Sequence, residues 1–239
     1  MRTRLTHSLA SAFGATALAF GLCGPAHSSI VSAFSNTAQI TIPSSGAASP
    51  YPSAINVSGM GTQLLGLSVS LLGFSHTWAR DVDVLLVSPG GQAMLVMSDV
   101  GGNNNFVDVN ITLSDGAASL MPNTSFASGS YRPTDSNDFD LCGESLPGPA
   151  PATTASAGFC GTATLQSTFG GINPNGLWSL YVADDAGGDS GVFSRGWSMT
   201  ITTNDRQQGS VPEPATLWLV GLAGLGAVAA RRRHLSYRH

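Results

Sequence analysis

The stretch that decides the fold is residues 176–202, "GLWSLYVADDAGGDSGVFSRGWSMTIT". Large apolar residues alternate with polar residues in its first part and again in its last part. These alternating residues are Trp178, Leu180 and Val182, then Trp197, Met199 and Ile201. A two-residue repeat with β-branched and aromatic side chains is typical of half-buried strands. The stretch therefore predicts two strands joined through an acidic, glycine-rich loop.

The same repeat recurs upstream. "LLGLSVSLLGF" from residue 64 puts Leu65, Leu67, Val69 and Leu71 on one face. "DVDVLLVS" then sets Asp81 and Asp83 against an apolar face, which favours a solvent-facing or cation-binding pair over the acid/base pair of a glycosidase. Before residue 64 only 38–42 resembles a strand, and no segment between the termini has a helical period. We therefore predict an all-β fold, an antiparallel β-sandwich.

Composition limits the possible partners. Charged residues make up 10% of the chain, and lysine is absent. Between residues 29 and 205 the only bases are Arg80, Arg132 and Arg195, so that region is acidic and a poor match for nucleic acid. Cys142 and Cys160 can pair in an oxidising compartment; a metal-binding pair is the weaker alternative, because no histidine lies near them.

The N-terminus reads as an export signal over residues 1–28. Arg2 and Arg4 precede a short apolar stretch, and Ala26 and Ser28 have the spacing that signal peptidase needs. We expect cleavage after Ser28, with Ala26 as the second choice. An uncleaved membrane anchor is the alternative, disfavoured because the apolar stretch is short.

The C-terminal tail, residues 206–239, has three parts in a fixed order. Val211, Pro212, Glu213 and Pro214 precede an apolar run over 215–230, and Arg231, Arg232 and Arg233 begin the basic end. The tail resembles the PEP-CTERM sorting signal of Gram-negative bacteria. The resemblance implies recognition by an exosortase, a transient inner-membrane anchor through a helix at 215–230, and delivery to the cell surface or extracellular matrix. An ordinary tail anchor is the alternative.

Residues 64–205 resemble the P/Homo B domain that follows the catalytic domain of kexin- and furin-like convertases and many bacterial subtilases. Four stretches carry the likeness: "GFSHTWARDVDVLLVSPGG", "SDVGGNNNFVDV", "LSDGAASL" with "SGSYRPTD", and 176–202. The chain departs from the pattern at Arg80, Val82 and Gln92, and by the cysteine-bracketed insertion. The resemblance implies a jelly-roll β-sandwich that is not itself catalytic. The segment 29–63 reads as a Ser/Pro-rich lead-in.

Gly188-Asp189-Ser190-Gly191 matches the tetrapeptide around the nucleophile of chymotrypsin-like proteases. A serine nucleophile needs a base, and His76 is the only histidine outside the two terminal signals. His76 lacks that family's Ala-Ala-His-Cys setting, and Val192 replaces its second glycine. We therefore predict no catalytic residues, and keep a hydrolase using Ser190 as an alternative.

Oxygen-bearing side chains cluster in two glycine-rich turns. Calcium takes such oxygen ligands, so both turns are candidate calcium sites; water-solvated acidic turns are the alternative. The candidate residues are Asp99, Asn104 and Asn105, then Asp184, Asp185 and Asp189.

Together these features predict an exported, surface-sorted, non-catalytic β-sandwich with a binding or structural role. Its partners would be signal peptidase and an exosortase during processing, then an extracellular polysaccharide or another exported protein. The alternative, implied by the P/Homo B resemblance, is an accessory module that associates with a subtilisin-like serine endopeptidase.

Overall fold

The computed structural model describes residues 29–136, 142 and 144–204. It contains strands, the short helix α1 (Leu165–Phe169) and one turn of 3-10 helix (Ala79–Asp81). The strands are β1 (Ser29–Asn36), β2 (Ile40–Ile42), β3 (Gly46–Ala47), β4 (Ser53–Val57), β5 (Leu64–His76), β6 (Val82–Val87), β7 (Ala93–Ser98), β8 (Phe106–Ser114), β9 (Gly129–Tyr131), β10 (Thr134–Asp135), β11 (Ala155–Ser156), β12 (Gly176–Asp184), β13 (Gly191–Phe193) and β14 (Trp197–Asn204).

The strands form two sheets packed as a sandwich. Sheet A has the order β1-β14-β5-β13-β2, with β8 also pairing with β5 and β9 with β8. Sheet B has the order β10-β7-β6-β12-β3, with β11 on β7 and β4 on β12. The long strands pair antiparallel, as predicted, whereas β9, β10 and β11 are short parallel additions. The predicted all-β sandwich is confirmed.

Two tryptophans from the fold-deciding stretch anchor the core, one from each sheet. Trp178 on β12 and Trp197 on β14 are both fully buried. Trp178 Nε1 donates to the Pro174 carbonyl at 2.8 Å, and Trp197 Nε1 donates to Ser53 Oγ at 3.0 Å. Both indole donors are therefore satisfied inside the core, which burial requires. The predicted two-residue repeat is confirmed, and 184–193 carries the chain from sheet B to sheet A.

The segment before residue 64 contributes more strands than the sequence predicted. The structure contains the predicted strand as β2, but β1 pairs along its whole length with β14, and β4 pairs with β12. Half-buried Ile30 and Phe34 alternate with exposed residues on β1, so the two-residue repeat was present there in weak form. Residues 29–63 therefore supply strands to both sheets.

Two expected exposures are wrong. Asp81 and Asp83 do not face solvent, because they are 5% and 4% exposed. Asp81 lies in the 3-10 turn rather than on β6, and the cysteine-bracketed loop covers the face of sheet B that carries Asp83. Leu146 and Ala150 of this loop pack on a small cluster around Leu85. Leu65 is 48% exposed, and Leu64 is buried in its place; the pairing with β14 shifts register there.

Cys142 and Cys160 form a disulfide with a Cα–Cα distance of 5.3 Å, which closes the loop over sheet B. The predicted signal peptide and sorting tail lie outside the described residues. Within the described part of the chain, no helix is long and apolar enough to cross a membrane.

Candidate functional site

The candidate site lies where β5, the 79–81 turn and the acidic loop after β12 meet. His76 ends β5 and is 2% exposed. Its Nε2 lies 3.1 Å from Asp184 Oδ2, and its Nδ1 lies 2.8 Å from the Trp78 carbonyl oxygen. The Trp78 N–H also donates to Nδ1, at 3.2 Å, so the Trp78 backbone offers Nδ1 both a donor and an acceptor. Either ring nitrogen can therefore carry the hydrogen of the neutral ring.

The electrostatics of this pair favour its uncharged form. Burial lowers the pKa of His76, and burial raises the pKa of Asp184 to about 6. Both shifts disfavour charge in a dry site. The pair is therefore a close contact between two buried groups, and burial disfavours a charge on either of them.

Ser190 lies near Asp184 in the sequence, but the His76–Asp184 pair is not positioned to act as its base. Ser190 is exposed, and the next residue, Gly191, pairs with His76 across β13 and β5. A Cβ added at Gly191 would lie 2.3 Å from His76 Cδ2, so a carbon edge of the ring faces β13. Both ring nitrogens face Asp184 and Trp78 instead. A base for Ser190 would need one of those nitrogens.

A cavity of about 300 Å³ opens between the 79–81 turn and the acidic loop, lined by Trp78, Arg80, Asp81, Gly187 and Asp189 among others. Burial, then the charges of Asp184 and Asp185, raise the pKa of Asp81 to about 6. The Arg80 guanidinium lies over the Trp78 ring at 5.4 Å, with Nε 3.7 Å from Asp81 Oδ1. This arginine offsets part of the negative charge at the cavity.

Three carboxylates from separate parts of the chain meet next to this cavity. Asp83 of β6, Glu144 of the disulfide loop and Asp185 of the acidic loop have oxygens within 4.8 Å of one another. Burial raises the pKa of Asp83 well above its usual range, although a hydrogen bond from Ser98 opposes the shift. Calcium binds carboxylate oxygens at about 2.3–2.6 Å, so one ion can reach all three. We call these three residues the acidic group.

The sequence-predicted metal residues only partly converge. Asp185 belongs to the acidic group, and Asp189 lines the cavity. Asp184 is bound to His76, and its Oδ1 accepts the Ala186 N–H at 3.1 Å. In the other predicted set, Asn104 donates to the Gly101 carbonyl at 2.7 Å and Asn105 is exposed. Asp99 is buried, and its charge acts on Asp83.

Sequence reasoning missed Asp83 and Glu144 as partners of Asp185. Glu144 lies inside the insertion, where no motif marks it, and Asp83 occupies a strand position that reads as solvent-facing. The pair of cysteines could have indicated this contact, because a loop closed by a disulfide must pack against some part of the protein surface.

Comparisons with solved structures find a serine protease of Aeromonas sobria at 14% identity and a TM-score of 0.36. The match covers 75% of this chain and 27% of that chain. The complex of Aeromonas sobria serine protease and the chaperone is matched at 15% identity and a TM-score of 0.35, covering 76% and 28%. The chain thus spans about a quarter of the length of those proteases. Comparison with curated proteins finds no match.

The C-terminal tail gives a definite result. Residues 210–233 match the PEP-CTERM protein-sorting motif, and they contain the Val-Pro-Glu-Pro sequence, the apolar run and the arginines. This confirms the sequence-based interpretation of the tail. The chain carries a PEP-CTERM sorting motif, which marks an exported protein sorted to the Gram-negative cell envelope or surface.

Proposed function

We propose that this chain is a non-catalytic β-sandwich module with a binding or structural role at the cell surface. The observation that carries the proposal is the sorting motif at 210–233. The motif indicates where the protein is sent, and it indicates no chemical reaction. In the proposed route an exosortase recognises Pro212-Glu213-Pro214 and removes the tail, and 215–230 anchors the chain in the inner membrane only during processing.

Within that proposal the sandwich is a jelly roll of the P/Homo B type. Support comes from the four stretches that carry the resemblance, which supply strands of both sheets: 73–91 spans the end of β5 to β6, and 176–202 spans β12 to β14. His76 of the first stretch and Asp184 of the fourth stretch contact each other. The pairing of two separate motif residues gives both a structural role.

The non-catalytic part of the proposal is supported by the geometry of His76. A nucleophilic serine needs a nearby base whose free nitrogen can take its proton. Here Nδ1 is bonded to the Trp78 backbone, and Nε2 faces Asp184 in a fully buried pair. The glycines around Ser190 serve the turn: Gly188 has φ +115°, a conformation that favours glycine.

The test is cell fractionation of a host that makes the chain, with a variant in which Arg231, Arg232 and Arg233 are alanine. The native chain should reach the surface or medium in shortened form. The variant should stay unprocessed in the cell, because the basic end holds the tail in the cytoplasm. Retention of the native chain in the cytoplasm would overturn the proposal.

The same recovered chain separates the alternatives. Labelling of Ser190 by a serine-directed phosphonate, lost in Ser190→Ala, would favour a hydrolase. Co-purification of a subtilisin-like protease would favour the accessory role instead.

We further propose that calcium binds at the acidic group and ties the disulfide loop to β6 and the acidic loop. The fit rests on three carboxylates within 4.8 Å of one another, one of them buried. Calcium binding only to the folded chain stabilises it in proportion to the logarithm of calcium concentration.

Calcium at 5 mM should therefore raise the melting temperature of the exported chain by about 4 °C or more relative to chelator. Glu144→Gln should abolish most of the rise, because it removes one charged ligand. Asp108→Asn, an exposed carboxylate on β8 paired with Arg195, is the charge-matched control and should retain the rise. An equal rise in both variants would place calcium elsewhere.

A further inference from the structure

The outward face of sheet A carries an unbroken row of hydroxyl groups. Residues on β1 and β14 alternate between the core and this outward face. One row of directly opposed residues crosses β1, β14, β5, β8 and β9. In that order the residues are Ser35, Ser198, Ser70, Thr112 and Ser130. All five are serine or threonine, and Ser70 Oγ lies 3.0 Å from Thr112 Oγ1.

Two shorter rows continue this surface. The second row is Ala33, Thr200, Ser68 and Ser114, and the third is Val31, Thr202 and Gly66. The three rows together are called the hydroxyl face. It contains no acidic or basic residue. Strands lie about 4.8 Å apart and rows about 7 Å apart, so the hydroxyl groups form a regularly spaced grid on the twisted sheet.

The composition of this face restricts what can bind it. A charged side chain loses its bound water when a partner covers it, which costs free energy. The hydroxyl face carries no charged side chain, so a partner can cover it without this cost. Serine and threonine are short, so they lose little conformational freedom when covered. Each hydroxyl can donate and accept hydrogen bonds. The matching partner is extended, uncharged and itself covered with hydroxyl groups.

We propose that the hydroxyl face binds a neutral polysaccharide lying flat across the strands of sheet A. An extended neutral glycan presents hydroxyl groups at regular intervals along its length, which matches the regular spacing of the grid. A second copy of the chain is a poorer match, because two such faces would bury few of the aromatic and apolar groups found at the cores of protein interfaces. The proposal rests on the proposed function, since the polymer lies outside the cell.

The test is co-sedimentation of the exported chain with three insoluble neutral glycans: amorphous cellulose, agarose and chitin. Insoluble polygalacturonate serves as the charged comparison. Thr200 is exposed in the middle of β14, so Thr200→Lys places a long charged side chain in the middle of the grid. Thr124→Lys is the matched control, because Thr124 is exposed in the loop before β9 and off the face.

We expect the native chain to sediment with at least one neutral glycan. Thr200→Lys should weaken that binding about tenfold or more, and Thr124→Lys by less than about twofold. Both variants should melt at the native temperature, which would show that the loss is local.

Three results would overturn the proposal: no binding to any of the three neutral glycans, equal binding by Thr200→Lys, or preference for the polyuronate. Self-association of the native chain in the ultracentrifuge, lost in Thr200→Lys, would assign the face to a second copy. If the chain reaches the surface but binds no glycan, only this inference is wrong. If the chain stays in the cytoplasm, the proposed function is wrong, whatever the purified chain binds in vitro.

Discussion

Replacing His76 with alanine should lower the free energy of unfolding by about 3 kcal/mol or more. The change removes the partner of Asp184, whose side chain is fully buried, and leaves that carboxyl facing an empty space. It also removes the ring against which Gly191 and Phe74 pack. Urea unfolding at pH 7.5, followed by the fluorescence of the buried tryptophans, measures the loss.

The double variant His76→Ala with Asp184→Ala is the control that isolates the pair. If the two side chains stabilise the fold as a unit, removing both should cost less than the sum of the single losses, by about 1 kcal/mol or more. Strictly additive losses would show that His76 acts through packing alone. Ser190→Ala, on the exposed side of the same loop, should leave the unfolding free energy unchanged within about 0.5 kcal/mol.

Much of the sandwich could be predicted because its signal is local. Along β14 and the middle of β12, buried residues alternate with more exposed ones, so the period is visible within a few residues. β1 was missed because its inward residues include Ser32, and its outward ones include Val31 at 60% exposure. When small residues occupy both faces, the two-residue contrast weakens and the strand is defined only by its pairing with β14.

The acidic group could not be predicted, because it depends on where the insertion lies. Glu144 is about sixty residues from Asp83 in the sequence, and no spacing rule joins them. The loop over sheet B is what buries Asp83, so the residue's environment is decided by contacts with Leu146 and Ala150 on Leu85 rather than by strand alternation. The contact between His76 and Asp184 was not predicted either, because Asp184 was assigned to metal binding from the loop composition alone.

The melting temperature in chelator should be higher at pH 5 than at pH 7.5, by about 5 °C or more. Asp81 and Asp184 have pKa values raised to about 6, against about 3.8 in the unfolded chain, and burial also raises the pKa of Asp83 well above its usual range. At pH 5 the folded chain keeps protons that the unfolded chain has lost, which favours folding. As pH rises through 6 that advantage disappears. His76 acts in the opposite direction, because its pKa is lowered, but it is one group against three.

Asp83→Asn tests which carboxyl contributes most to this pH dependence. Asparagine keeps the shape of the protonated side chain and can still accept the Ser98 hydrogen bond, but it never ionises. The variant should melt at nearly the native temperature at pH 5 and several degrees above it at pH 7.5, which flattens the pH profile. Asp108→Asn changes the net charge equally at an exposed position, so it should follow the native profile. If Asp83→Asn instead lowered the melting temperature equally at both pH values, the ionised carboxylate would be stabilised by its neighbours, and the buried acidic group would not be the source of the pH dependence.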